Sequence, residues 1–213
     1  MNQLKKEFTV AFQLSSVSRY SRDHLLKPES VLEHVGFCLV YGALLSDRLE
    51  AKGLYVNRGE LFRKIAYHDI DEAILGDIPR TTKYFSEEIR GAMKKVEKDT
   101  VARLDVWLRS FIRLPWLTAK EGFEGSILKV VDLAAVVYKN WTEVVLLRNR
   151  SFLRVCVETQ RYLDELEVFR FHPAVWLEIK ELKELNKEIL DTFVPTEEDM
   201  MFIRMQEAEN VKI

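Results

Sequence analysis

No stretch of this 213-residue chain alternates apolar and polar residues for long enough to demand a β-sheet; apolar residues return instead at every third or fourth position. Only 8 Gly and 5 Pro interrupt that rhythm, so helical segments can run long and the expected class is all-α. With 47% hydrophobic residues in a chain of this length, a sizeable core can be buried. The expectation is a single domain over residues 1–195. A tail at 196–213 mixes Glu197, Glu198 and Asp199 with Met200, Met201, Phe202, Ile203 and Met205, a pattern that docks a short helix or frays.

The periodicity places the elements. Phe8, Phe12 and Leu14 mark a first helix, and a loop follows from Arg19 to Pro28. Ser30 caps the next helix, with Glu33 three residues on as the second half of a capping box. Val31, Val35, Cys38, Leu39, Gly42 and Leu45 give it a buried face until Gly53 ends it. Asn57 starts a third helix that runs into His68-Asp69, with Asp71 to Leu75 continuing it or forming a short successor. Gly76-Asp77-Ile78-Pro79 breaks the pattern as a loop. Ser86 caps a long helix through Ile89, Met93, Val96, Thr100, Leu104 and Trp107, and Arg113 to Thr118 reads as a connector. A strongly apolar helix spans Ala119 to Tyr138, with an extension past Trp141 left open; two amphipathic segments follow, around Val155 to Phe169 and Val175 to Phe193.

Charge and composition exclude several classes. Lys plus Arg total 32 against 34 for Asp plus Glu, so no cationic surplus advertises nucleic acid or an anionic membrane, and any affinity for phosphate must be local. The longest uncharged run, Val35 to Ser46, is too short to span a bilayer. The N-terminal segment carries Lys5, Lys6 and Glu7 and lacks the continuous apolar core of a signal peptide. Cys38 and Cys156 form no CxxC pair and sit among apolar residues, as two small buried thiols in a reducing compartment would. These features place the chain in the cytoplasm.

The chemistry concentrates at His68-Asp69. A neutral imidazole and a carboxylate hold a divalent first-row ion while leaving room for water, so the pair is half of a metal site. His34 and Asp132 are each embedded in an apolar helical stretch where an ionisable group is costly to bury without a task. Together they make a His, His-Asp, Asp set. Successive helical residues diverge by about 100°, so His68 and Asp69 reach one ion only if the helix distorts at their position. His24 and His172 match no such pattern, and Asp71 reads as solvent-facing. The run Arg90, Lys94, Lys95, Lys98 lies among acidic residues and reads as a solvated, charge-paired helix face.

The ordered set and its surroundings resemble the HD-domain phosphohydrolases, and within them the bacterial HD-domain 5'-deoxynucleotidases. The resemblance is carried by Arg19-Tyr20, Glu29-Ser30-Val31-Leu32-Glu33-His34, Tyr67-His68-Asp69 through Glu72 to Gly76-Asp77-Ile78-Pro79, Lys83-Tyr84-Phe85, and Lys129 with Asp132, across residues 15–140. Phage HD-domain dATP triphosphohydrolases are similar over the same segments. The resemblance implies an HD-domain helical bundle and one divalent metal ion (cobalt, manganese, zinc, iron or magnesium) held by His34, His68, Asp69 and Asp132. It implies that Glu72 aligns or deprotonates the attacking water and that Asp77 lies near the scissile oxygen, where a protonated carboxyl would give the leaving alkoxide its proton. Arg19 and Lys83, helped by Arg22 and Arg80, would meet phosphate. Tyr20 stands where the 5'-deoxynucleotidases carry Trp to pack the sugar.

The function so implied is metal-dependent hydrolysis of deoxyribonucleotides, foremost of a deoxynucleoside monophosphate to deoxynucleoside and phosphate. One alternative is a dNTP triphosphohydrolase of the phage dATPase type, releasing tripolyphosphate; a second is a non-catalytic nucleotide-binding helical scaffold. The expected partners are a small nucleotide and further copies of the chain in a homodimer or higher oligomer, with neither nucleic acid nor membrane.

Overall fold

The computed structural model describes residues 2–83, 85–167, 171–192, 197 and 201, with the backbone alone at 80 and 81. Among the described residues every regular element is helical, and the one extended pairing is the isolated bridge between Ser18 and Ser30. Two compact units emerge: Met1–Arg22 with Pro28–Ala135, and Asp23–Lys27 with Val136–Ile213.

The first unit begins with α1 (Gln3–Ser16), whose Asn2 cap accepts the Leu4 N–H. Helix α2 (Val31–Ala51) starts at Ser30, and both halves of the expected capping box form: Ser30 Oγ takes the Glu33 N–H and Glu33 takes the Ser30 N–H. Asn57 caps α3 (Arg58–Tyr67). The short α4 (Glu72–Leu75) ends at Gly76, whose φ of 76° lies in the left-handed region that glycine enters without a Cβ clash. Next come α5 (Arg80–Lys83) and α6 (Glu87–Arg103), the latter capped by Ser86 as expected. Leu14, Val31, Val35, Ile70, Ala73, Val101, Leu104 and Ile112 form one buried cluster that joins these helices.

The long helix expected through Trp107 is two helices. Leu104 turns extended, and the Asp105 side chain accepts the Trp107 N–H at 3.1 Å, capping α7 (Val106–Leu117). A short carboxylate that can satisfy a free backbone N–H competes with helix continuation. The expected connector Arg113 to Thr118 is likewise the end of α7. Pro115 lies inside α7, forgoing the backbone bond to the Phe111 carbonyl, and the helix stops two residues later. Helix α8 (Gly122–Asn140) then carries Asp132.

In the second unit the chain continues past Trp141 as a π-helical turn, Trp141–Leu146, followed by a 3-10 turn, α9 (Leu153–Asp164) and α10 (Pro173–Asp191). Glu143 on the π turn is fully buried. Its oxygens take the backbone N–H groups of Leu26 and Lys27, at 2.9 and 3.0 Å, and the Asn149 side chain at 2.7 Å, which gives a buried charge the partners it requires. His172 caps α10 through the Ala174 N–H. The expected ends at Phe169 and Phe193, the tail 196–213 (apart from single positions 197 and 201) and Tyr84 lie outside the described residues. Both cysteines are free and buried.

Candidate metal centre and active site

Two local features of the first unit bring His34, His68 and Asp69 together. The capping box fixes where α2 begins, which sets His34 in its first turn, almost wholly buried. Helix α3 ends at Tyr67, and residues 68–71 form a turn before α4; this is the distortion that lets two successive side chains face one point. His68 Nδ1 lies 2.8 Å from the Ile65 carbonyl oxygen. A carbonyl only accepts, so Nδ1 carries a proton and Nε2 is the nitrogen that faces the other donors.

The donor atoms converge. His34 Nε2 is 3.3 Å from His68 Nε2, 3.6 Å from Asp69 Oδ2 and 3.5 Å from Asp132 Oδ1, and His68 Nε2 is 3.0 Å from Asp69 Oδ2. His34, His68 and Asp69 each offer a ligand atom within 4.8 Å of the others. Asp132 stands at the edge of this group: its second oxygen is 3.4 Å from Lys129 Nζ. Ligands bonded at about 2.0–2.2 Å to a first-row ion lie roughly 3 Å or slightly more apart, and these separations match. The donor set therefore fits a divalent cation.

The electrostatics of the cluster set the protonation of each donor before a cation enters. Burial, followed by the charge on Arg19, pushes His34 down to about 3, which keeps its imidazole neutral. For His68 burial opposes charge, but Asp69, Asp132 and the Ile65 carbonyl together overcome it and raise the group to about 9, so a cation bound there would displace a proton from the ring. Asp69 is held far below the usual carboxylate range, burial being overcome by His68, His34 and Arg19. Asp132 falls to about 2, burial being overcome by Lys129 and both histidines.

Around this centre lie the other candidates. Glu72 is buried, and burial followed by the charge on Asp69 pushes its carboxyl up to about 9. Its Oε1 is 3.4 Å from Lys83 Nζ, while Oε2 has no hydrogen-bond partner among the described residues. Lys83, expected to face phosphate, is thus paired with Glu72 and stands 3.8 Å from Glu97. Arg19 lies 3.6 Å from Glu29 Oε1 and 5.4 Å from the centroid of the Tyr20 ring. Tyr20 has a φ of 56°, a strained conformation for a non-glycine residue, and Asp77 Oδ2 accepts its N–H at 3.0 Å. Asp77 therefore fixes the Arg19–Tyr20 turn. Arg22 is exposed, and the Arg80 side chain lies outside the described residues.

Three residues were given no part in the site by the sequence reading. Glu29 stands 3.9 Å from His34 Nδ1 as well as beside Arg19; its place directly before the Ser30 cap was the available signal. Cys38 Sγ is 3.6 Å from His34 Nε2, as the i, i+4 spacing on α2 allows. Asp71, expected to face solvent, is buried and accepts the Trp116 indole N–H at 3.0 Å. The correction follows from α7, which brings Trp116 over the turn.

Comparison with known proteins adds to this geometry. A model of the family described as 5'-deoxynucleotidase YfbR-like matches residues 7–175. A 5'-deoxynucleotidase of Citrobacter koseri is 26% identical over 185 residues, covering 81% of this chain and 92% of that one. The 5'-deoxynucleotidase YfbR of Escherichia coli is 25% identical over the same coverage. Among solved structures, an HD-domain phosphohydrolase from Listeria innocua shares the fold with a TM-score of 0.60 at 22% identity, covering 89% of this chain and 99% of that one. A cyanophage S-2L HD phosphohydrolase, solved with dA and one catalytic Zn²⁺ ion, gives a TM-score of 0.53 at 16% identity, covering 88% and 98%.

Proposed function

This chain belongs to the YfbR-like 5'-deoxynucleotidase family, and from that premise we propose that it is a divalent-metal-dependent phosphohydrolase that converts deoxynucleoside monophosphates to deoxynucleoside and phosphate. The observation that carries the reading is the convergence of His34, His68 and Asp69 within 4.8 Å, beside a buried glutamate. We assign the metal to these three residues with Asp132. When bound there, a divalent ion supplies Lewis acidity toward the phosphate and lowers the pKa of water.

The protein's own groups do the rest. Glu72 Oε2, buried without a partner among the described residues, holds the attacking water and takes its proton. Lys83, 3.4 Å from Glu72 Oε1, favours the ionised carboxylate needed for that task. Arg19 offers a guanidinium to the phosphate, where charge neutralisation and positioning dominate phosphoryl transfer. Asp77 holds the Tyr20 backbone, and through it sets the ring that packs against the sugar. The family match runs across both compact units, which supports one functional domain over residues 1–195. Two free, buried cysteines and the lack, among the described residues, of any helix long and apolar enough to cross a membrane support action in the cytoplasm on a small nucleotide. Exposed apolar side chains on α7 support self-association.

The test is product analysis. Metal-stripped protein reloaded with manganese, cobalt or zinc is incubated separately with dAMP and dATP, and dAMP should yield deoxyadenosine and orthophosphate. Tripolyphosphate from dATP, with dAMP cleaved slowly, would reassign the chain to the triphosphohydrolases. Binding without turnover under every metal would leave a nucleotide-binding scaffold.

A further inference from the structure

We propose that Trp116 and Asp71 form a latch that positions Glu72 for proton transfer, so that α7, which contributes no residue to the metal centre, sets the turnover of the site. The inference rests on the reading of Glu72 as the proton-handling carboxylate.

The latch follows from what its bond adds to α4, which is otherwise held by apolar packing. That helix has four residues, far too few to sustain itself. Asp71 occupies its cap position in a helical conformation and makes no side-chain cap hydrogen bond. Its Oδ1 instead accepts the Trp116 indole N–H at 3.0 Å. Ile70, Asp71, Glu72 and Ala73 are all buried, so the turn has apolar anchors on both sides of two adjacent carboxylates. Ile70 and Ala73 belong to the same apolar cluster as Ile112, with Trp116 packed against it.

Burying a carboxylate is expensive unless it is hydrogen-bonded. A solvent-facing role cannot account for Asp71, and a helix cap cannot either. What the Asp71 carboxylate does is join the turn to α7. Adjacent helical side chains diverge by about 100°, so fixing Asp71 toward α7 fixes the direction in which Glu72 leaves the same turn. On the other side Glu72 Oε1 faces Lys83 at 3.4 Å, a flexible partner that does not define an orientation. Apolar contact with the indole would hold α7 in place without selecting a rotation of the turn. The directional N–H to carboxylate bond selects one.

Trp116→Phe keeps the ring and removes the donor; Asp71→Ala removes the acceptor from the other end; Asp71→Asn keeps an acceptor oxygen. The latch predicts that kcat for dAMP falls on the order of tenfold or more in Trp116→Phe and in Asp71→Ala, the scale of a small misplacement of a catalytic group. KM and the affinity for Mn²⁺, measured by calorimetry on the metal-free protein, should stay near wild type. The double variant should be no slower than either single one, as partners in one bond require, and Asp71→Asn should recover most of the turnover. Melting curves establish that each variant is folded at the assay temperature. Glu72→Ala serves as reference: if it retains turnover, the role of Glu72 fails and the latch with it. If Glu72→Ala is inactive while folded Trp116→Phe and Asp71→Ala turn over as wild type, the latch alone is overturned. Additive losses in the double variant would overturn it too.

Discussion

Glu72 carries two demands that oppose each other. To take a proton it must be ionised, yet burial and the neighbouring Asp69 charge push it up to about 9 from an ordinary 4.5. In the metal-free protein that conflict is a cost to folding. Because the folded pKa is raised, the unfolded chain ionises first as pH rises, and stability is lost between roughly pH 4.5 and 9. Glu72→Gln removes the ionisation, so the metal-free variant should melt higher than wild type at about pH 8, and the difference should shrink as pH falls toward 4.5. Calorimetric melting across pH checks this; equal or lower melting of the variant at the alkaline end would contradict it. The same variant should turn over roughly 10²-fold slower or worse when metal-loaded. Asp69 contributes differently, standing 3.0 Å from His68 Nε2 and 3.6 Å from His34 Nε2. Asp69→Ala should lose metal affinity and activity together, and unchanged binding in calorimetry would remove it from the ligand set. That His34, His68, Asp69 and Asp132 lie close together was anticipated in sequence, His34 and Asp132 as ionisable residues in apolar helical stretches and His68-Asp69 as an adjacent pair of ligand types. The burial of Asp71 was not, because its partner is Trp116, 45 residues away, in a segment read as a connector.

Among the helices, the clearest sequence signals were caps. Ser30 with Glu33, Asn57 and Ser86 each accept the N–H expected of them. Asp105 does the same at 3.1 Å from the Trp107 N–H, but apolar periodicity carried through Leu104 and Trp107 and hid it; a period of 3.6 cannot reveal a break that leaves the apolar face in phase. Two glycines test how closely these helices approach. At Gly42 on α2 an added Cβ would meet Ile65 Cδ1 at 2.6 Å, the movable end of a side chain. At Gly125 on α8 it would meet the Lys120 carbonyl carbon at 2.5 Å and the Ala119 oxygen at 2.9 Å, both backbone. Rotation of Ile65 can relieve the first, and the gain in helix propensity from Gly to Ala offsets what remains. Gly42→Ala should therefore stay within about 1 kcal/mol of wild type, whereas Gly125→Ala should lose about 1–3 kcal/mol, the usual range for overpacking. Urea unfolding of the two variants measures the contrast, and a more stable Gly125→Ala would show that the loop before α8 yields freely.

For the molecule as a whole, every proposed ligand falls in the compact unit formed by Met1–Arg22 and Pro28–Ala135. The division itself was not legible, because helical periodicity continues across residue 135 within the single helix α8. Periodicity also says which face of a helix is apolar, but not when a second face is. Helix α7 has two. Ile112 is buried with Leu108 and Trp116 packed against the same core, while Val106, Trp107, Phe111, Leu114 and Leu117 are exposed, Val106 at 71% and Leu114 at 68%. Five large apolar side chains exposed on one twelve-residue helix approach the size of patch that monomeric proteins seldom leave in water. A second copy laid antiparallel would present the same face in return, as two-fold pairing requires. Light scattering at micromolar concentrations should therefore give at least twice the 25.0 kDa chain mass. Leu114→Glu combined with Val106→Glu, which places like charges where the copies meet, should return a single-chain mass with the melting temperature little changed. A wild-type protein that stays at the single-chain mass would remove self-association altogether. A multimer unaffected by both glutamates would keep association and move its interface off α7.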